Sequence, residues 1–145
     1  MKKIIYLLGL ITLVSIVSCE REETSESINM VNLTGQWEVN AYTDSALIFG
    51  PFMLNTLQST LPMGDSITIW DSDNKFWDFQ VNASTLVEKG TFETELSNCQ
   101  ASEKAIGVKI FNGKILNSDS IYFEIQFEDD LIPYGQTYQL KGHRV

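Results

Sequence analysis

The side chains of this chain that suit covalent or acid–base chemistry are few and scattered. Glu93 and Glu95 stand two apart, which on a strand puts both carboxylates on one face, the arrangement a glycosidase uses when a cleft separates the pair. His143 is the single histidine, and besides Cys19 the single thiol is Cys99. A nucleophilic thiol needs a base beside it. Cys99 lies between Asn98 and Gln100 in a polar stretch that reads as a loop, where an inert half-buried thiol is the plainer expectation. Asp71-x-Asp73-Asn74 begins like a calcium loop, but Phe76 and Asn82 occupy the positions where such a loop needs Gly and Glu, so the segment reads as a turn. Glu128-Asp129-Asp130 reads as an acidic hairpin end rather than a hard-cation site. With these residues a zinc or other soft-metal site is not expected. Neither a nucleophile elbow, a phosphate-cradling loop nor a His-Glu-x-x-His helix is present in the sequence. The expectation is a protein that is not an enzyme, with no catalytic residue, no metal and no cofactor.

Binding is the remaining chemistry, and two sets of residues offer it. Phe52, Leu54, Trp77, Phe79 and Phe123 would line an apolar interior able to hold a small apolar ligand. Trp70 and Tyr122 fall on the outward face of their strands and offer stacking faces for a glycan.

The elements that position these residues show a period of two. Trp37, Val39 and Ala41 alternate with polar neighbours, as do Ile67 and Ile69, then Trp77, Phe79 and Val81, then Ile106, Val108 and Ile110. Ile121, Phe123, Ile125 and Phe127 against Tyr122, Glu124, Gln126 and Glu128 form the clearest run, and Tyr138 and Leu140 close the set. Such alternation marks antiparallel sheet with one wet face. Residues 85–94 read as one strand with Gly90 at a bulge or bend. Asn112-Gly113 between apolar runs reads as a hairpin turn. Asp71–Asn74 and Asn117–Asp119 separate further strands. The fold class expected is all-β, an up-and-down meander of about eight strands closed as a small barrel, because closure removes exposed edges. A β-sandwich is the alternative. Ala46–Leu61 breaks the alternation, and Pro51 followed by Phe52, Met53, Leu54 and Leu57 reads as one short helix between the first two strands, a plug for one barrel end or a lid over a cavity.

The chain of 145 residues carries a formal net charge of −9. Lys2 and Lys3 precede an apolar stretch, Ile4–Val17, too short to span a bilayer comfortably and read as a secretory signal peptide. Ile16-Val17-Ser18-Cys19 resembles the lipobox of bacterial lipoproteins, which implies removal of 1–18 and acylation of Cys19. Two or more acyl chains would make the anchoring stable. Glu20-Arg21-Glu22-Glu23 resembles the surface-export signal of Bacteroidota-type lipoproteins. Asp44-Ser45-Ala46, Asp65-Ser66-Ile67 and Asp119-Ser120-Ile121 match the pattern such bacteria O-glycosylate, making Ser45, Ser66 and Ser120 candidate sites. The expected location is the outer membrane, facing the periplasm or the cell surface. Residues 19–31 form the lipidated cysteine and an acidic tether with a reach of roughly 40 Å when extended, and 32–145 form a single domain. Loss of the two leader lysines takes the charge to −11. Such a surface repels phosphates, so nucleic-acid binding is not expected.

Gly35-x-Trp37 after Leu33-Thr34 resembles the first-strand motif of the lipocalin and calycin superfamily, and Tyr138–Arg144 is similar to last strands of bacterial lipocalin-like lipoproteins. The resemblance implies a barrel base closed by Trp37 with Arg144 packed across it in a cation–π contact. It also implies a non-enzymatic binder of a small apolar molecule, the alternative being a structural, interaction or glycan-binding module with a filled barrel.

Overall fold

The computed structural model describes residues 31–61, 64–99 and 105–145. Residues 1–30, which hold the stretch read as a signal peptide, Cys19 and nearly all of the expected tether, lie outside the described residues.

Eight antiparallel strands follow one another: β1 (Gly35–Thr43), β2 (Ala46–Leu61), β3 (Gly64–Asp71), β4 (Gln80–Leu86), β5 (Thr91–Asn98), β6 (Gly107–Leu116), β7 (Ser120–Phe127) and β8 (Tyr138–Arg144). Each pairs with its successor, and β8 pairs with β1 to close a barrel. The sandwich alternative is overturned, since closure leaves one continuous sheet. Side chains of period two point inward: Ile121, Phe123, Ile125 and Phe127 from β7, Ile67 and Ile69 from β3, Val81 and Ala83 from β4, Val108 and Ile110 from β6. A fully buried side chain of this kind contributes about 1.5–3 kcal/mol. The interior is therefore both the folding core and the space a ligand would have to share.

Three sequence expectations are corrected. Ala46–Leu61 is strand β2, not a helix. Its alternation is concealed because its inward set after Pro51 is Phe52, Leu54 and the polar Thr56. Residues 46–51 are exposed on both faces and carry no pattern. Gly50 (φ +134°) and Pro51 sit where the β1–β2 register shifts, between the Val39–Phe52 and Ala41–Phe49 pairs. A strand proline, which cannot donate to the ladder, is tolerated at such a bulge. Residues 85–94 are not one strand: the chain reverses at Val87–Gly90, where Gly90 adopts φ +64°. Asn112-Gly113 is not a hairpin but a bulge inside β6, where the β6–β7 register shifts between Phe111 and Lys114. Asn112 supplies the left-handed residue (φ +54°) and Gly113 lies against the Phe92 backbone and ring, where a Cβ would collide. The reversal comes at Asn117-Ser118, both at positive φ.

The up-and-down order gathers the β1–β2 turn, the β3–β4 loop (72–79) and the β7–β8 loop (128–137) at one end, the mouth. The turns 87–90 and 117–119, the entering residues 31–34 and the C-terminus lie at the other end, the base.

Candidate functional site

The base is closed by the residues of the Gly35-x-Trp37 motif. Trp37 and Arg144 are cross-strand partners, and the guanidinium carbon stands 4.3 Å from the Trp37 ring centroid. Arg144 also donates to the carbonyls of Ser118 (Nε, 2.5 Å), Thr34 (2.6 Å) and Asn32 (2.9 Å), binding the entering chain to the last strand. Gly35 leaves the space the guanidinium occupies, and a Cβ there would displace it from its place over Trp37. Inside, Trp37 Nε1 donates to Thr56 Oγ1 (2.9 Å), whose own hydroxyl donates to the Leu33 carbonyl (2.5 Å). Trp37, Leu33 and Thr56 are all buried, so this end is a sealed joint.

The mouth is closed differently, by a loop. Residues 72–79 lay Phe76 and Trp77 across the opening. Phe76 stacks on Phe52 (5.2 Å between centroids) and meets Phe49 (5.8 Å), Tyr138 (5.4 Å) and Phe127 (6.2 Å). Trp77 lies parallel to Phe127 at 4.2 Å. The aromatic series thus runs from half-exposed Phe49 on the rim to fully buried Phe127 in the interior. Its framework is polar. Asp71, the last residue of β3 and only 2% exposed, accepts from the backbone N–H groups of Phe76 (2.7 Å), Trp77 (3.2 Å) and Asp73 (3.3 Å). Asp129 accepts from Trp77 Nε1 (3.0 Å) and Asp130 from the Tyr138 hydroxyl (2.7 Å), while Glu128 accepts from Gly107 N (2.5 Å). The acidic run 128–130 and the Asp71 turn therefore spend their carboxylates on the chain's own donors. Leu131 stands fully out in solvent beside this mouth, and Ile132 is largely exposed.

Of the apolar residues the sequence singles out, Phe52, Leu54, Phe79 and Phe123 lie in the packed interior and Trp77 at its mouth. Trp70 on β3 and Tyr122 on β7 face outward four strands apart around the barrel, and so do not share one face. The chemically capable groups are not assembled either. The Cys99 thiol accepts from Gln80 N (3.3 Å) and donates to the Asp78 carbonyl (3.4 Å), tying the β5 end to the start of β4. Exposed His143 stands 4.0 Å from Glu38 on the outer wall. Ser45 is exposed at the β1–β2 turn, while Ser66 and Ser120 are half-buried in β3 and at the start of β7. Phe76 and the Asp71 latch were not singled out as a site. Their only sequence signal is a pair of aromatics, Phe76-Trp77, following a polar turn.

A concavity of about 770 Å³ opens on the outer wall over the β6 bulge, within the roughly 300–1,000 Å³ range of small-molecule sites. Leu86, Phe92 and Tyr122 supply its apolar lining, and Lys89 and Lys114 its cations.

Tyr138 and Tyr122 are both pushed up to about 12, by burial first, then by donating to the Asp130 and Glu124 carboxylates, then by those charges. A phenol whose folded pKa is raised contributes stability that is complete below its ordinary value and is lost as pH rises through the folded value. Stability is thus expected to hold to about pH 10 and to fall as pH approaches about 12. Absorbance at 295 nm should show both phenols ionising late and together with loss of the β circular dichroism signal. Ionisation of both at the ordinary value with the barrel intact would contradict these contacts.

The family model described as "Lipid-binding putative hydrolase" matches residues 22–145. No curated protein matches the chain.

Proposed function

From the chain's membership of that lipid-binding family, we propose that it is a lipid-anchored protein of the cell envelope whose barrel binds one small apolar ligand at the aromatic mouth. The single observation that carries the ligand site is the continuous aromatic series from Phe49 through Phe76 to Phe127, whose central ring, Phe76, is carried by a loop while its neighbours stand on strands. Rotation of the Phe76–Trp77 loop outward would expose Phe52, Phe79 and Phe127 without breaking any strand pairing, and the ligand would take over the contacts those two rings now make. The anchor reading is supported by the basic leader, the apolar stretch and the Ile16–Cys19 box in order. An outer-membrane location is supported by the acidic run after Cys19. The protein is read as a binder rather than a catalyst, since Cys99, His143 and Glu93 stand on separate parts of the barrel wall.

Native mass spectrometry tests the ligand reading on residues 20–145, a span that contains all eight strands. The expected result is an added mass of a few hundred daltons on protein purified without denaturation, removed by organic extraction and restored by a fatty alcohol. A clean unliganded mass that stays clean after incubation with fatty alcohols, fatty acids and sterols would overturn it.

A further inference from the structure

We propose that the wall groove over the β6 bulge is a separate site for a single-chain amphiphile with an anionic head. The argument begins with a census of cations. Among the described residues Lys75 pairs with Asp73, Lys109 lies over the Tyr134 ring, Lys141 lies over the Tyr42 ring and Arg144 over Trp37. Among the described residues, Lys89 and Lys114 have neither a carboxylate within ion-pair distance nor a ring, and both line the same groove. In a chain of net charge −9, two cations unpaired among the described residues and facing one concavity are a local reversal of sign. Lys141 adds to it, its ammonium 5.9 Å from the ring of Tyr122 on the groove wall. The opposing acid in the lining is Glu93, cross-strand from Ser84, while Glu124 beyond it is held by Tyr122 and Asn112.

The floor is apolar for a stated reason. The bulge draws Gly113 against Phe92, and the missing Cβ lets that ring reach the floor. Leu86, 60% exposed, forms one side and Tyr122 the other. Thr85 belongs to the same lining. An apolar floor and a cationic rim fit an alkyl chain ending in a carboxylate or phosphate. Position supports a lipid source. The groove flanks the 87–90 turn, and Val31, where the tether enters, packs on Gly90 of that turn. A tether running to a membrane would therefore leave from beside this groove. The proposal rests on the lipid-binding reading of the family but uses none of the mouth residues.

The test is nuclear magnetic resonance titration of residues 20–145 with decanoate, decyl phosphate and decanol below their micellar concentrations. Both anions are expected to shift the amides of Leu86–Thr91 and Asn112–Lys114, and decanol far less. Lys89→Ser with Lys114→Ser should weaken decanoate by about fivefold to tenfold with unchanged melting temperature, since each exposed pair contributes modestly. Added salt should weaken it too. A response to decanoate but not decyl phosphate, or the reverse, would identify the headgroup. Equal binding of decanol, or an unaltered double variant, would overturn the proposal. Shifts confined to Phe76 and Trp77 would overturn it while leaving the mouth reading intact, and shifts confined to the groove would do the converse.

Discussion

Replacing Trp37 by Ala is expected to lower the unfolding free energy by about 4 kcal/mol, near the middle of the range for removing a buried large aromatic side chain. Three losses coincide there. The ring is fully buried and its removal opens a cavity at the point where β1 meets β8. Thr56 loses the donor at 2.9 Å that faces its oxygen. Arg144 loses the ring under its guanidinium, a contact typically worth about 0.5–2 kcal/mol, although its three carbonyl acceptors stay in place. A domain of this size has about 5–15 kcal/mol in total, so the variant should show a much earlier urea midpoint with a similar slope. Trp37→Phe keeps most of the volume and loses the Nε1–H group, so it should cost about 1–2 kcal/mol. Equal small effects from both variants would mean that the base is not held by this joint.

How far such a joint is legible beforehand depends on whether its cause is local. The Trp37–Arg144 contact is what the resemblance of Gly35-x-Trp37 and the last strand to the lipocalin pattern implies, and strand alternation from Ile121 to Phe127 predicts β7. Thr56 was not legible as their partner, because its role arises from a register nineteen residues away that makes one polar side chain part of the inward set. The same polar residue concealed β2. The Asn112-Gly113 pair misled for a related reason: a positive φ followed by a residue without Cβ serves a bulge as well as a hairpin, and only the packing of Phe92 decides which. The count of about eight survived because these errors offset one another. Two runs read on either side of Asn112-Gly113 are the single strand β6, while Ala46–Leu61 adds a strand the sequence had read as helix. Phe76 is not legible because a loop has no period, and its neighbours around the mouth come from three separate strands.

Asp71→Ala tests the mouth itself and is expected to separate stability from access. The carboxylate is buried and accepts from Phe76 N and Trp77 N through one oxygen and from Asp73 N through the other, so the loop is shaped around it. Hydrogen bonds to a charged acceptor contribute about 1.5–3 kcal/mol each. Part of that loss is recovered when the freed N–H groups reach water, and the net cost should be about 3 kcal/mol. The strands do not depend on this loop for pairing, and the barrel should keep its circular dichroism signal. What should change is the exchange of a neutral apolar fluorophore such as N-phenyl-1-naphthylamine, with an association rate at least about tenfold faster, equivalent to about 1.4 kcal/mol less restraint on opening. Trp77 emission should move to longer wavelength as its stack on Phe127 loosens. Asp71→Asn keeps one carbonyl oxygen for Phe76 N and should fall between the variant and the parent on both measures. A matched control comes from Trp37→Phe, which acts at the sealed base and should leave the association rate unchanged. If Asp71→Ala loses the stability without gaining the rate, the loop is a structural cap and the interior is a core without access. The wall groove over the β6 bulge would then be the place where an apolar chain meets this protein.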